Sequence, residues 1–315
     1  MELSIGKLRG LQQCTSPRGT FTCLALDHRQ NLRKANPAFV DNAELSRFKL
    51  DVIASLADLG TAVLFDPEVS AAQAIAAGVL PGKTAFVVAV EATGYGGAPT
   101  ARQSQVLPGW SVEKAKRMGA SMIKLLVYYH PDSPTATEIE SFVRQVAEEC
   151  ARYDLGMMLE PLSYSLDADK KLSSAEKRYV VTETARRLVF PGVDVLKAEF
   201  PLDAAEDKNE SNWAAACADI SAASSAPWIV LSAAVDYEIY VRQVEIACRA
   251  GASGAAVGRA VWQEAVSLDG ESRLAFLRTT GRQRLARLTA VCNELGKPVS
   301  DFYTADAPFD WYKSY

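Results

Sequence analysis

The stretch "GVDVLKAEFP" (residues 192–201) carries the pattern from which the fold of this chain can be read. Val193, Val195, Leu196, Ala198 and Phe200 give a run apolar on both faces, as in a strand buried within a parallel sheet. Side chains alternate along a strand, so Val195, Lys197 and Glu199 share one face. Lysine is almost never fully buried unless it is paired or put to use. Lys197 therefore needs either a carboxylate or a task.

Seven further apolar runs resemble this one. They are "TCLALD" (22–27), "TAVLFD" (61–66), "TAFVVAVE" (84–91), "SMIKLLVY" (121–128), "LGMMLE" (155–160), "PWIVLS" (227–232) and "SGAAVG" (253–258). The ends of the eight recur about every 33 residues, the length of one βα unit. Helical periodicity fills the gaps, as in "AELSRFKLDVIASLADLG", where Leu45, Phe48, Val52, Leu56 and Leu59 step by threes and fours. Eight strands alternating with helices favour closure into a single (β/α)8 TIM barrel over an open doubly wound sheet. We expect one domain over residues 1–315, ending in a helix (271–295) and an aromatic tail, "DFYTADAPFDWYKSY". The tail is expected to pack on the barrel or on a neighbouring subunit, with cover over the active site as the alternative.

Composition narrows the partners. The 315 residues are 49% apolar and 23% charged, with a net charge of −4. Such a balance fits a globular chain with an ample core and points away from nucleic acid or an anionic membrane. The opening "MELSIGKLRGLQQ" lacks the apolar core of a signal peptide, and no run approaches the ~18 residues of a membrane span. Six scattered cysteines without a Cys-x-x-Cys read as free thiols in a reducing cytoplasm. His28 and His130 are the only histidines, which disfavours a zinc site built on several of them. We expect no metal.

Barrel enzymes hold their chemistry at the C-terminal ends of the strands. Those ends here carry Asp27 with His28 and Arg29, Asp66, Glu91, Lys124, Glu160, Lys197 with Glu199, Ser232, and Gly258 with Arg259. Asp66 and Glu91, taken singly, read as ion-pair partners at the rim; the set as a whole reads as a site. Lys124 and Lys197 both sit inside apolar runs. Bringing a lysine from its ordinary pKa to near 7 takes roughly 3 units, or about 4 kcal/mol. Desolvation and a second ammonium in the same lumen are the two standard means. A neutral lysine attacks carbonyls; a structural Lys197–Glu199 or Lys124–Glu160 salt bridge is the competing reading. Glu160, among Met157, Met158 and Leu159, is expected to have a raised pKa suited to proton transfer. "GRAVW" opens a helix with Gly258 and Arg259, and Ser232 with the Ala233 N–H lies on the same side. Together these suggest an anion site. The glycine-rich "TGYGGAP" (93–99) reads as a flexible loop.

The blocks "ALDHR", "LFDPE", "EATGY", "GWSVEKAKRMGASMIKLLVYYHPD", "LEPL", "DVLKAEFP", "WIVLSAAVD" and "GRAVW" resemble, in order and phase, the class I tagatose-bisphosphate aldolases. The resemblance runs from about residue 20 to "WYKSY". Sulfofructose-phosphate aldolases are similar. The resemblance implies a metal-independent, cofactor-free (β/α)8 lyase working through a lysine Schiff base. It implies Lys197 as the Schiff-base lysine, Lys124 as the second active-site lysine and Glu160 as the acid–base group. Asp27 would lie near the substrate hydroxyls with His28 and Arg29 beside it, and Ser232, Ala233, Gly258 and Arg259 in the phosphate segments. The implied ligand is a sugar phosphate, and the expected assembly a homo-oligomer. Tagatose 1,6-bisphosphate leads, fructose 1,6-bisphosphate stands beside it, and 6-deoxy-6-sulfofructose 1-phosphate is the alternative. A phosphosugar-binding regulator on the same scaffold is the alternative of another class. Two positions depart from the family pattern: His28, where glutamine is frequent, and Ala234, where glycine is common.

Overall fold

A computed structural model describes residues 1–313 and 315. Ser314, inside the predicted aromatic tail, lies outside the described residues. The eight predicted runs form β1 (Phe21–Ala25), β2 (Ala62–Phe65), β3 (Ala85–Ala89), β4 (Met122–Tyr128), β5 (Gly156–Leu162), β6 (Val195–Ala198), β7 (Trp228–Leu231) and β8 (Gly254–Val257). Each pairs in parallel with its sequence neighbours, and β1 pairs with β8 to close the barrel. Closure leaves no strand edge, and both faces of the strands are buried, which is why they read as continuous apolar runs.

The helices alternate as the periodicity predicts. Ala136–Arg152, after β4, buries Ile139, Val143, Val146, Ala147 and Cys150, one stripe at helical spacing. The Asp41 side chain caps the helix Asn42–Leu56, and Ser173 with Glu176 forms a capping box on Ser174–Leu188. The predicted terminal helix is present, but a π-helical turn at Leu277–Gly281 divides it into Gly270–Phe276 and Arg282–Leu295. None of the helices among the described residues is long and apolar enough to cross a membrane.

One loop expectation changes, and the tail packs on the barrel as expected. The glycine-rich segment after β3 is a small antiparallel hairpin, Gly96–Ala98 against Ala101–Gln103. The Arg102 guanidinium on it lies 4.3, 5.2 and 4.5 Å from the rings of Tyr95, Tyr128 and Tyr164. Cation–π contacts to three rings fix what glycine content alone reads as flexible. The tail, in turn, runs under the barrel, at the N-terminal ends of the strands. Tyr303 donates to the Asp194 carbonyl just before β6, and the Tyr315 hydroxyl bonds Asp154 just before β5. The Met1 amine donates to the Phe302 carbonyl at 2.6 Å, so both chain ends meet there. None of the described tail residues lines the cavity at the barrel mouth.

Candidate active site

The C-terminal ends of the strands surround a cavity of about 630 Å³. Pairing sets the depth of each charged group within it. Lys124 on β4 stands opposite Ala89 on β3 and Met158 on β5, and Glu160 stands opposite Leu126, two residues nearer the mouth. Leu159 pairs with Leu196, which brings Glu160 level with Lys197. Lys124, fully buried, ends at the centre of a carboxylate ring: its Nζ lies 2.8 Å from Asp27, 2.7 Å from Glu91 and 2.9 Å from Glu160. The Lys197 Nζ reaches the same Glu160 oxygen at 2.8 Å. One carboxylate oxygen thus lies within 3 Å of both lysine Nζ atoms.

The electrostatics decide between the two sequence readings of Lys124 and overturn the expectation for Glu160. Burial pushes the Lys124 ammonium down, but Asp27, Glu160 and Glu91 outweigh it and hold the pKa well above the ordinary lysine value. Lys124 is therefore a standing cation, paired with Glu160 as the competing salt-bridge reading had it. Burial pushes the Glu160 carboxyl up, yet Lys124 and Lys197 together leave it below its usual value. The apolar neighbours in the sequence suggest desolvation, whereas the lysines that outweigh it come from the two strands paired on either side of β5. Asp27 behaves likewise: burial raises it, and Lys124, Lys197 and His28 carry it well below the carboxylate range.

The remaining predicted residues divide. Arg259 lines the cavity with no hydrogen bond or ion pair to any described residue, and its Nε is buried without a partner. A free guanidinium inside a pocket is a ready anion contact. Ser232, Ala233 and Gly258 stand beside it, and the Gly258 N–H points at the Ser232 Oγ at 3.5 Å. A Cβ on Gly258 would lie 3.0 Å from the Ala25 carbonyl and 3.1 Å from the His28 ring, so glycine keeps that approach open. Ala233 and Ala234 take φ of 43° and 60°, the left-handed conformation that a glycine at 234 would enter freely. His28 also lines the cavity and packs edge-on against Trp262; burial pushes its pKa down to about 4, so the ring is neutral at pH 7. Arg29 borders the same space, but its guanidinium is committed to Glu68 and to the Glu91 carbonyl. Glu199 lines the cavity but pairs with the Ser163 N–H at 2.6 Å rather than with Lys197.

Glu91 is the member of the cluster that sequence reasoning placed at the rim. The rim reading suits Asp66, which pairs with the buried Lys49 and is not part of the cavity lining. Glu91 turns into the lumen instead. Its position at the end of an apolar run, matching those of Asp27 and Glu160, was the available signal. Lys34 was also missed: it lines the cavity from the helix Gln30–Ala35 and pairs with no carboxylate among the described residues.

A parallel eight-stranded barrel hosts many chemistries, and the family comes from the sequence it is built on. The chain belongs to the DeoC/LacD family aldolases, whose sequence profile matches residues 21–264. It is a carbon–carbon lyase. The chain is 30% identical over 325 residues to tagatose 1,6-diphosphate aldolase 1 of Streptococcus pyogenes serotype M1, covering 95% of this chain and 98% of that one. It is likewise 30% identical to tagatose 1,6-diphosphate aldolase 2 of Enterococcus faecalis (strain ATCC 700802 / V583), covering 92% and 95%. In fold it resembles an archaeal fructose 1,6-bisphosphate aldolase, with a TM-score of 0.59 at 19% identity, covering 92% of this chain and 99% of that chain. A Schiff base-forming fructose-1,6-bisphosphate aldolase gives a TM-score of 0.57 at 21% identity, covering 88% and 99%.

Proposed function

We propose that this aldolase is of class I and acts on a ketose bisphosphate, tagatose 1,6-bisphosphate first and fructose 1,6-bisphosphate beside it. The products are dihydroxyacetone phosphate and glyceraldehyde 3-phosphate. The observation that carries the reading is the Lys197–Glu160 contact at 2.8 Å, with Lys124 on the same oxygen. Lys197 Nζ passes its proton to Glu160 and adds to the C2 ketone. Glu160 returns the proton to the carbinolamine hydroxyl, water leaves, and an iminium forms. The ionised Glu160 then takes the proton of the C4 hydroxyl as the C3–C4 bond breaks, and the bonding pair moves into the iminium to give an enamine. The aldehyde departs. Protonation at C3 and hydrolysis of the imine release dihydroxyacetone phosphate and restore Lys197. The iminium is the electron sink, so this route calls for neither metal nor cofactor. Lys124 and Asp27 orient the substrate oxygens from the floor of the cavity.

A substrate with two phosphate groups is favoured by two cavity cations without carboxylate partners among the described residues, Arg259 and Lys34. Arg259, beside Ser232 and Ala233, takes one phosphate; Lys34 at the opening takes the other. The same proposal includes a homo-oligomer, supported by the exposed Phe309 and Tyr312 of the tail, and work in a reducing cytoplasm, supported by six free, buried cysteines. The decisive experiment is borohydride trapping with dihydroxyacetone phosphate, followed by peptide mapping. An adduct on Lys197 is expected; folded protein with no lysine adduct refutes the mechanism. Assaying tagatose 1,6-bisphosphate, fructose 1,6-bisphosphate and 6-deoxy-6-sulfofructose 1-phosphate side by side fixes the substrate.

A further inference from the structure

We infer that Glu91 is a positioning residue, which keeps Lys124 charged and in place while Asp27 and Glu160 change partners during turnover. The inference rests on the aldolase reading above. Three carboxylates share one ammonium, but their tasks differ. Glu160 also touches Lys197 and must alternate between carboxylate and acid. Asp27 lies at the cavity surface beside His28, where substrate hydroxyls arrive. Glu91 touches neither Lys197 nor His28. Its Oε1 meets Lys124 at 2.7 Å, and its Oε2 accepts the Leu126 N–H at 3.1 Å, so a backbone bond from β4 fixes the carboxylate against the strand that carries Lys124. A bridge between Glu91 and Val106, together with Arg29 on the Glu91 carbonyl, fixes its backbone.

The need for such a group follows from charge. When Glu160 takes a proton it stops compensating Lys124, and an ammonium buried in a low-dielectric lumen tends to lose its own. Asp27, turned towards substrate, is a second uncertain counter-charge. Glu91 supplies one that the reaction does not consume. The groups facing Lys124 are Asp27 and His28 after β1, Glu91 after β3, Glu160 on β5, Lys197 on β6 and Tyr128 on its own strand. Of the three carboxylates among them, Glu91 is the one fixed by a backbone hydrogen bond from β4.

The test is E91Q, which keeps the shape and an acceptor for Leu126 but removes the charge. Removing one of three adjacent negative charges lowers the Lys124 pKa, so the alkaline limb of the kcat/KM profile moves towards neutrality by about 1–3 pH units. E91D, which retains the charge, is expected to leave that limb near its wild-type position while lowering kcat modestly. An unchanged limb in folded E91Q, or an equal displacement in E91D, overturns the inference. If E91Q does not fold, titration of wild-type protein carrying 13Cε-lysine serves: the Lys124 signal should stay at its ammonium position to pH 10, and titration below that refutes the role. Borohydride trapping on each protein keeps the two hypotheses apart. Wild type without a Lys197 adduct sinks the aldolase mechanism, whereas trapping with an unshifted profile sinks only the role of Glu91.

Discussion

Replacing Lys124 with methionine should reverse the pH dependence of stability. The substitution removes the cation 2.8, 2.7 and 2.9 Å from three carboxylates and leaves the carboxylates buried. At an effective dielectric of ~20 each such contact carries a gross attraction of about 6 kcal/mol. Most of that is offset by desolvation, so the net cost of breaking a buried cluster is about 3–5 kcal/mol. In the wild type, burial pushes Asp27 and Glu160 up, but the lysines carry both below their ordinary values. Their contribution is present above the unfolded carboxylate pKa, near 4, and is lost as pH falls through the lower folded values. Without Lys124, burial and mutual repulsion push Asp27 above its unfolded value. Folding then takes up a proton, and stability falls as pH rises, by about 1.4 kcal/mol per unit for each proton involved. Urea unfolding at pH 5 and pH 8 measures this directly. The wild type should change by no more than about 1 kcal/mol between them, while K124M loses about 3. Parallel pH curves for the two proteins would refute the charge assignment of the cluster.

Other perturbations probe the rim and the scaffold. R259A should raise KM for a phosphorylated ketose about 10–100-fold with little change in kcat, because a charge-assisted contact of about 1.5–3 kcal/mol is lost equally from ground and transition states; an unaltered KM places the phosphate elsewhere. A234G removes a left-handed alanine and should raise the melting temperature by roughly 2 °C, equivalent to about 1 kcal/mol, in a thermal melt. A lowered melting temperature means that the 60° φ is not strained. Deleting residues 309–315 should leave kcat and KM unchanged, since the tail lies beneath the barrel; loss of turnover with the fold retained contradicts that placement.

The residue pattern by itself carries much of this. Eight apolar runs, a spacing near one βα unit and charged residues at the strand ends are local properties, and local sterics and hydrophobic burial translate them into strands, helices and a closed sheet. Alternation along a strand likewise placed Lys197 on a defined face, and the run around Lys124 marked it as buried. The cluster that these residues form depends on strand stagger and closure, which bring β1, β3, β4, β5 and β6 to one point. That geometry decided that Lys197 meets Glu160 rather than Glu199, and that Glu91 faces inward while Asp66 pairs with Lys49. It also decided the charge of Lys124. A lysine among apolar residues in the sequence reads equally as a neutral amine or as a salt-bridge partner, and three carboxylates from other strands keep it an ammonium. Desolvation can be guessed from neighbours in the chain. Charge contacts shorter than 3 Å come from neighbours in space, and at that range they outweigh it.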